Sequence, residues 1–449
     1  MKQTSLYDIA KVIGANSTSL PCTKSTSGVA VDSRLLKPGD LFFALPGEHV
    51  DGHAFLESAA SAGAAGAVVA SHYQGPDHGI PLLYVPDTLH ALQKLAQTTL
   101  QSSKASIVAV TGSLGKTTVK GFITSLLSHK FKVSASPGNS NSQIGLPLAI
   151  LNHTSLSDDI IVLEMGMTLP GQLTKLIAIA RPEVAVVTTV ALVHAGNFNS
   201  LEEIARAKAE IFASPSTKLG IYHHESNLGG IIAAGGECPK RSFSTESSQA
   251  DSFLNVLDGD MHIQEAGQAP GRLPLLSIPG AHNRHNFLAA LNVARYFGMT
   301  WEEIKAAQTS LELPERRLQF IEKYGALFVN DAYNASELSM IAAFNSLPNP
   351  KPGSKRIAFL GGIVELGKFS EGCHRAVGKH ALDHIDLMLC FGTDCLPIFE
   401  EWQSAGRPVV WASERNELMP ALRQRLQAGD VVLLKGSRAK GVWKVLEEL

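Results

Sequence analysis

Ile107–Thr118, IVAVTGSLGKTT, runs from a β-branched apolar stretch into a glycine turn that ends in Lys-Thr-Thr. The helical pattern VKGFITSLLSHKF follows at once. Strand, glycine turn and helix in that order are the setting in which a phosphate-binding loop makes physical sense. Gly112 and Gly115 let the backbone turn tightly and approach an anion. The new helix aims the positive end of its dipole at the same anion. Lys116 offers a point charge to the β- and γ-phosphates, and the Thr117 hydroxyl is placed to ligate Mg²⁺. Gly112, Ser113, Leu114, Gly115, Lys116, Thr117 and Thr118 are therefore the expected nucleotide-binding set. The spacing is a short variant of G-x-x-x-x-G-K-[ST], with Val110 where the first glycine belongs.

On either side of this loop the chain alternates strand-like and helix-like segments. Residues 1–103 read as a small α/β unit, with helices near 5–14 and 53–63 and strands near 28–31, 40–45, 66–70 and 82–85. Residues 104–312 begin with the phosphate loop and continue through IIVLEMG (160–166), VAVVTTV (184–190) and helices at 200–213 and 284–297. That alternation predicts a mostly parallel sheet with helices on both faces. Short antiparallel strands are expected across 240–280, where Gly, Pro and Ser rise. After the break at Leu313-Pro314-Glu315-Arg316-Arg317, residues 318–449 alternate again and predict a second doubly wound, Rossmann-like unit, which with the break spans 313–449. The expected fold is α/β in three domains.

Composition narrows the classes of function. A hydrophobic content of 45% supports large cores, and a formal net charge of −2 gives no sign of a nucleic-acid or polybasic membrane partner. The five cysteines show no CxxC or Cys/His metal spacing, which suits reduced thiols. MKQTSLYDIAKVIG lacks the long apolar core of a signal peptide, and no 18-residue apolar run predicts a membrane span. A soluble, cytoplasmic, monomeric protein is expected.

Several other residues could carry chemistry. Glu164 ends IIVLEMG, where a carboxylate faces the crevice in which α/β sheets bind ligands. It could hold Mg²⁺ or be an ordinary strand-end acid. His194 follows VAVVTTV in the matching position, as a ligand or a hydrogen-bonded loop residue. Lys208 lies on the helix IARAKAEIF, where a solvated face is the ordinary reading and a crowded site could lower its pKa. Asn139 and Asn141 belong to a polar turn that could grip a substrate or simply turn. Asn283 and Asn286 open a helix, as caps or as nucleotide contacts. Arg317, Asp331, Tyr333 and Asn334 cluster just past the domain break. Lys435, Ser437 and Arg438 end the strand VVLLKG, where the two cations suit a carboxylate. Ser33 and Arg34 sit in a turn of the first unit.

Taken in order, TGSLGKTT, GNSNS (138–142), LEMG (163–166), His194, AKAE (207–210), His282-Asn283, Arg317 and KGSR (435–438) resemble the Mur ligases, ATP-dependent amide ligases that build the peptidoglycan stem peptide. The resemblance covers the whole chain. The first unit, AVDSRLLKPGDLFFALPGEHVDGHAF, looks like that of the branches adding the third residue and the terminal dipeptide. The Asp-Asn-Pro-Arg of the diaminopimelate-adding branch is absent, whereas Tyr333-Asn334-Ala335 followed by Ser339-Met340, Glu365-Leu366-Gly367 and His374 are similar to the dipeptide-adding branch. The chain departs from the family pattern at His223-His224-Glu225, Ala281, Gly362-Ile363-Val364 and Pro314-Glu315-Arg316-Arg317, which leaves open whether Arg316 or Arg317 meets the nucleotide.

The resemblance implies joining of D-alanyl-D-alanine to UDP-N-acetylmuramoyl-tripeptide through an acyl phosphate, with ATP and two Mg²⁺ ions. It implies catalytic roles for Lys116, Glu164, His194 and Lys208. Thr117 and Glu164 would hold one Mg²⁺, and His194 with a carbamylated Lys208 would help hold the second. Asn283, Arg317 and Asp331 would contact ATP. Ser33 and Arg34 would lie near the UDP moiety, and Asn139, Asn141, Tyr333, Asn334, Lys435, Ser437 and Arg438 are substrate-binding candidates. Closure of the domains would precede chemistry. The alternatives are a ligase taking a single amino acid, a folylpolyglutamate synthase, which would leave the first unit without a role, and a nucleotide-binding switch, which would not need Glu164, His194 and Lys208 together.

Overall fold

The computed structural model describes residues 3–16, 24–47, 50–193, 195–224 and 228–449. His194, Cys22 and Glu225 lie outside the described residues. Three larger sheets share no strand. The first contains Val29–Ala30, Leu41–Phe43, Gly66–Ala70 and Leu82–Val85, all parallel and in chain order. Helix Thr88–Gln101, which no expected element covers, packs against this sheet and leans on the next unit. Gln97 Nε2 donates to Ala178 O and Gln93 Nε2 to Gln143 O. Asn152 closes the same seam by exchanging two 2.9 Å hydrogen bonds with the Val29 backbone.

The second sheet has nine strands. Ser106–Thr111 lies near one end of its parallel part, between Ile160–Glu164 and Val184–Val187. These three strands are buried on both faces, which is why they read as unbroken apolar runs and not as alternating ones. The expectation of antiparallel strands over 240–280 holds only in part. Lys240–Ser244 and Ser252–Leu257 join the parallel ladder, and only Asp260–Glu265 and Gly271–Pro274 run antiparallel. The connections are seven, two and five residues long; the two shorter ones suit hairpins, whereas the seven-residue link leads into a parallel neighbour.

The third sheet has Gln319–Lys323 antiparallel at its edge, then Ala326–Asn330, Val431–Lys435, Arg356–Gly361, Leu387–Phe391 and Val409–Ala412 in parallel. Its chain order reverses beside Val431–Lys435, the kind of switch point at which such sheets bind ligands. The C-terminal ends of Ile160–Glu164, Ala326–Asn330 and Val431–Lys435 all deliver side chains to one cleft between the second and third sheets.

Candidate active site

The cleft is a cavity of about 1460 Å³. That exceeds the roughly 300–1,000 Å³ of a site for one small molecule and suits a nucleotide together with further substrates. The phosphate loop forms its floor. Gly112 adopts φ +145°, and a Cβ there would lie 1.9 Å from Thr188 Oγ1; Gly115 adopts φ +82°, and its Cβ would lie 2.4 Å from Asn286 Oδ1. No other residue fits either position without moving these neighbours. The loop is fastened from behind. The Ser113 and Leu114 N–H groups both donate to Thr189 O, and the Ser113 hydroxyl donates to Ala191 O. Ser113 and Leu114 therefore shape the loop with N–H groups already spent. The N–H groups open to an anion are those of the first turn of helix Lys116–Ser128, at Lys116, Thr117 and Thr118. Lys116 Nζ donates to Gly112 O at 2.8 Å and Ser113 O at 3.2 Å, curling back over the loop. Burial pushes its pKa down, against the pull of Glu164.

Glu164 is 1% exposed and heavily partnered. Its Oε2 accepts from Thr117 Oγ1 at 2.9 Å, and its Oε1 accepts from Asn141 Nδ2 at 2.7 Å. Thr117 hydroxyl and Glu164 carboxylate thus meet at one point of the cavity wall, a pair of hard oxygen donors that suits Mg²⁺. Among the described residues no group of three or more His, Cys, Asp or Glu could hold a metal, so a softer transition-metal set is not present there. Lys208 corrects the expectation of a solvated helix face. It is 3% exposed and lines the cavity, and burial, with Lys116 nearby, drives its pKa well below the ordinary lysine value. Lys208 shares its helix face with Ile204 and Ala205, four and three residues earlier and both packed in the core, so the helix Leu201–Ala209 carries it inward.

The third unit contributes the opposite wall. Arg316 and Leu318 both adopt positive φ, +59° and +46°, so the chain switches direction twice around Arg317. Non-glycine residues in this region carry strain that the surroundings must hold in place. The two arginines part as a result. Arg316 lies over the Trp443 ring at 4.4 Å, outside the cavity, whereas Arg317 lines it, stacks on Tyr333 at 4.5 Å and donates from Nη2 to Thr117 Oγ1 at 3.3 Å. Arg317 Nε is buried without a protein partner. Asp331 accepts from the Leu318 N–H and pairs with Lys435, which is 2% exposed and also donates to Asn334 O. Tyr333, Asn334 and Arg438 line the same wall.

Other expected residues sort differently. Asn139, Asn141 and Asn283 line the cavity. Asn283 and Asn286 do not cap their helix, whose N-cap is Gly280; Asn283 Nδ2 donates to Pro279 O, and Asn286 Nδ2 to Asn283 Oδ1. Ser437 is buried and accepts from the Val364 N–H, bracing a loop and not facing the cavity. Ser33 and Arg34 lie outside the cavity, with Arg34 exposed and paired to Asp32 at 2.7 Å. The cavity also takes Gln143, Thr168, Gln172, His223, His285 and Asn345, which carry no motif and reach the site only through the fold.

Comparison with known proteins accounts for the whole length. Family models match at residues 25–99 (Mur ligase family, catalytic domain), 110–294 (Mur ligase middle domain) and 316–438 (Mur ligase, glutamate ligase domain). The chain is 34% identical over 431 residues to the UDP-N-acetylmuramoyl-tripeptide–D-alanyl-D-alanine ligase of Escherichia coli (strain K12), covering 94% of this chain and 93% of that protein. It is 32% identical over 432 residues to the protein of the same name from Bacillus subtilis (strain 168), again covering 94% and 93%. A crystal structure of MurF from Acinetobacter baumannii superposes with a TM-score of 0.87 at 26% identity over 100% of this chain and 99% of that one. MurF ligase from Thermotoga maritima in complex with ADP superposes with a TM-score of 0.77 at 28% identity over 94% and 96%. With all three family models in order and relatives above 30% identity along nearly its full length, the chain belongs to the Mur ligase family.

Proposed function

We propose that this Mur ligase joins D-alanyl-D-alanine to the terminal carboxylate of UDP-N-acetylmuramoyl-tripeptide, cleaving ATP to ADP and phosphate. The observation that carries the reading is the meeting of Lys116, Thr117, Glu164, Lys208 and Arg317 around one cavity large enough for nucleotide and substrates. The names of the full-length relatives and the ADP held by the Thermotoga maritima structure support it. The substrate carboxylate oxygen attacks the γ-phosphorus and ADP leaves. The dipeptide amine then attacks the acyl carbon, a C–N bond forms, phosphate leaves and the amine gives up a proton. Both steps gather anions, which is why cationic side chains and helix dipole converge here.

The first-turn N–H groups of Lys116, Thr117 and Thr118 cradle the β- and γ-phosphates, and Lys116 swings from its loop carbonyls to meet them. Arg317 brings charge from the third unit to the same phosphates, and its position on Thr117 makes approach of the two units part of assembling the site. Asn283 and Asp331 contact the nucleotide; Asn139, Asn141, Tyr333, Asn334, Lys435 and Arg438 bind the peptide substrates. Ser33 and Arg34 serve the UDP end. Thr117 and Glu164 would hold Mg²⁺, which would neutralise phosphate charge when bound. Lys208, favoured as a neutral amine by its burial, would add CO₂ with loss of a proton to become an anionic oxygen donor, and with His194 would help hold a second Mg²⁺. The chain divides into UDP-binding (1–103), ATP-binding (104–312) and ligase (313–449) domains, a reading supported by three sheets that exchange no strand.

The test is phosphate release from ATP with UDP-muramoyl tripeptide, comparing D-Ala-D-Ala with single amino acids. Release with the dipeptide alone, and a product heavier by its mass less water, is expected. Release with a single amino acid alone refutes the dipeptide assignment.

A further inference from the structure

The phosphate-loop helix carries a second lysine to which the chemistry above gives no part. Lys120 lies one turn beyond Lys116, is 5% exposed and does not line the cavity. Its Nζ donates to Ser136 O and Gly138 O, each at 2.6 Å, and lies 3.7 Å from Glu164 Oε2. The two carbonyls accept hydrogen bonds from the ammonium, and the carboxylate faces it as an ion pair. The carbonyls flank Pro137 at the entry to the turn 138–142, from which Asn139 and Asn141 reach the cavity. The turn returns to Glu164 through Asn141 Nδ2, and the Gly166 N–H donates to Asn141 O. Ser136 Oγ accepts from the Glu164 N–H at 3.0 Å. Lys120, the turn and Glu164 therefore form a closed ring of bonds behind the cavity wall.

From this ring we infer that Lys120 is a positioning residue, holding the turn 138–142 and the Glu164 carboxylate in register from the side away from substrate. A lysine that served the nucleotide directly would face the cavity, as Lys116 does. An apolar side chain of the same length would leave two carbonyls unpaired and remove one of the cations that face the buried carboxylate. The inference rests on the role proposed above for Glu164.

The test uses the full-length enzyme with Lys120→Met and Lys120→Arg. Lys120→Met is expected to speed amide hydrogen exchange in 138–142 by ~10-fold. It is expected to lower kcat about 100-fold, while the Kd for ADP, measured without acceptor, stays within about 3-fold because the first-turn N–H groups are untouched. Lys120→Arg keeps two donors and the charge, and is expected to restore kcat to within ~10-fold of the parent with parent-like exchange. Unchanged exchange in Lys120→Met, or ADP affinity falling in step with kcat, overturns the inference. If Lys120→Met does not fold, Lys120→Arg decides: a kcat loss of about 100-fold with unchanged exchange assigns the ammonium a direct chemical part and overturns positioning. A parent enzyme that releases no phosphate with any acceptor refutes the ligase reading alone, since the exchange measurements still judge Lys120.

Discussion

Replacing Glu164 by Gln keeps the shape of the side chain and removes its charge. In the parent, Oε2 takes the Thr117 hydroxyl and faces Lys120 Nζ at 3.7 Å, and Oε1 takes the Asn141 amide. The glutamine can keep its oxygen toward Asn141 only by turning its NH₂ toward Thr117 and Lys120. Thr117 can reverse its hydroxyl and accept. Lys120 cannot, because an ammonium has no lone pair. The variant leaves a cation that is 5% exposed facing a donor, the situation in which breaking a buried pair costs about 3–5 kcal/mol. Two carbonyls still partner Lys120, so we expect the lower end, about 3 kcal/mol, or roughly 6–12 °C in the melting of a unit of this size. Ligation should fall by ~10³ or more, because a hard anionic donor is lost at the phosphate site. Thermal unfolding without ligands and phosphate release measure the two effects separately. The double variant Lys120→Met/Glu164→Gln should lose less stability than the two single variants added together, since the attraction between the two side chains can be lost only once. A Glu164→Gln enzyme that melts within about 1 °C of the parent would refute the charge-compensation argument.

Lys116→Ala should abolish turnover, by about 10³-fold or more, with an unchanged circular-dichroism spectrum; retained ligation would remove Lys116 from the mechanism. His285 is 8% exposed, and burial, with repulsion from His223 and His282, holds its pKa well below the usual 6.5. The unfolded chain therefore binds the proton first as pH falls, so stability should decline below pH 6.5 with a slope of up to about 1.4 kcal/mol per unit from this group. His285→Phe should flatten that part of the denaturation profile. Gly367 adopts φ +54°, and a Cβ there would lie 3.0 Å from Gly196 Cα, beside the Gly196 N–H to Glu365 O bond that ties the second unit to the third. Gly367→Val should weaken that docking and lower kcat by ~10-fold with unchanged ADP affinity, and small-angle scattering should show a larger radius of gyration.

The sequence by itself determined the local frame of this protein. A β-branched run, a glycine turn and a helix within twelve residues fix a phosphate loop, because neighbouring residues share one backbone path and its dihedral limits. Apolar runs marked the strands Ile160–Glu164, Val184–Val187, Ala326–Asn330 and Val431–Lys435, and the strand-end acids Glu164 and Asp331 followed from the first and third of these. Exposure and partnership were decided only in three dimensions, by residues remote in the chain. Lys208 reads as a surface lysine on its own helix and is buried by what packs over it. Arg316 and Arg317 are equivalent in sequence, yet two left-handed residues send one to Trp443 and the other to Thr117, 200 positions away. Lys120 carries no motif beyond its neighbours and gains its partners from Ser136, Gly138 and Glu164. Periodicity specifies which way a side chain leaves its own helix or strand. What it meets there depends on the packing of the other sheets, and that information is spread over the whole chain.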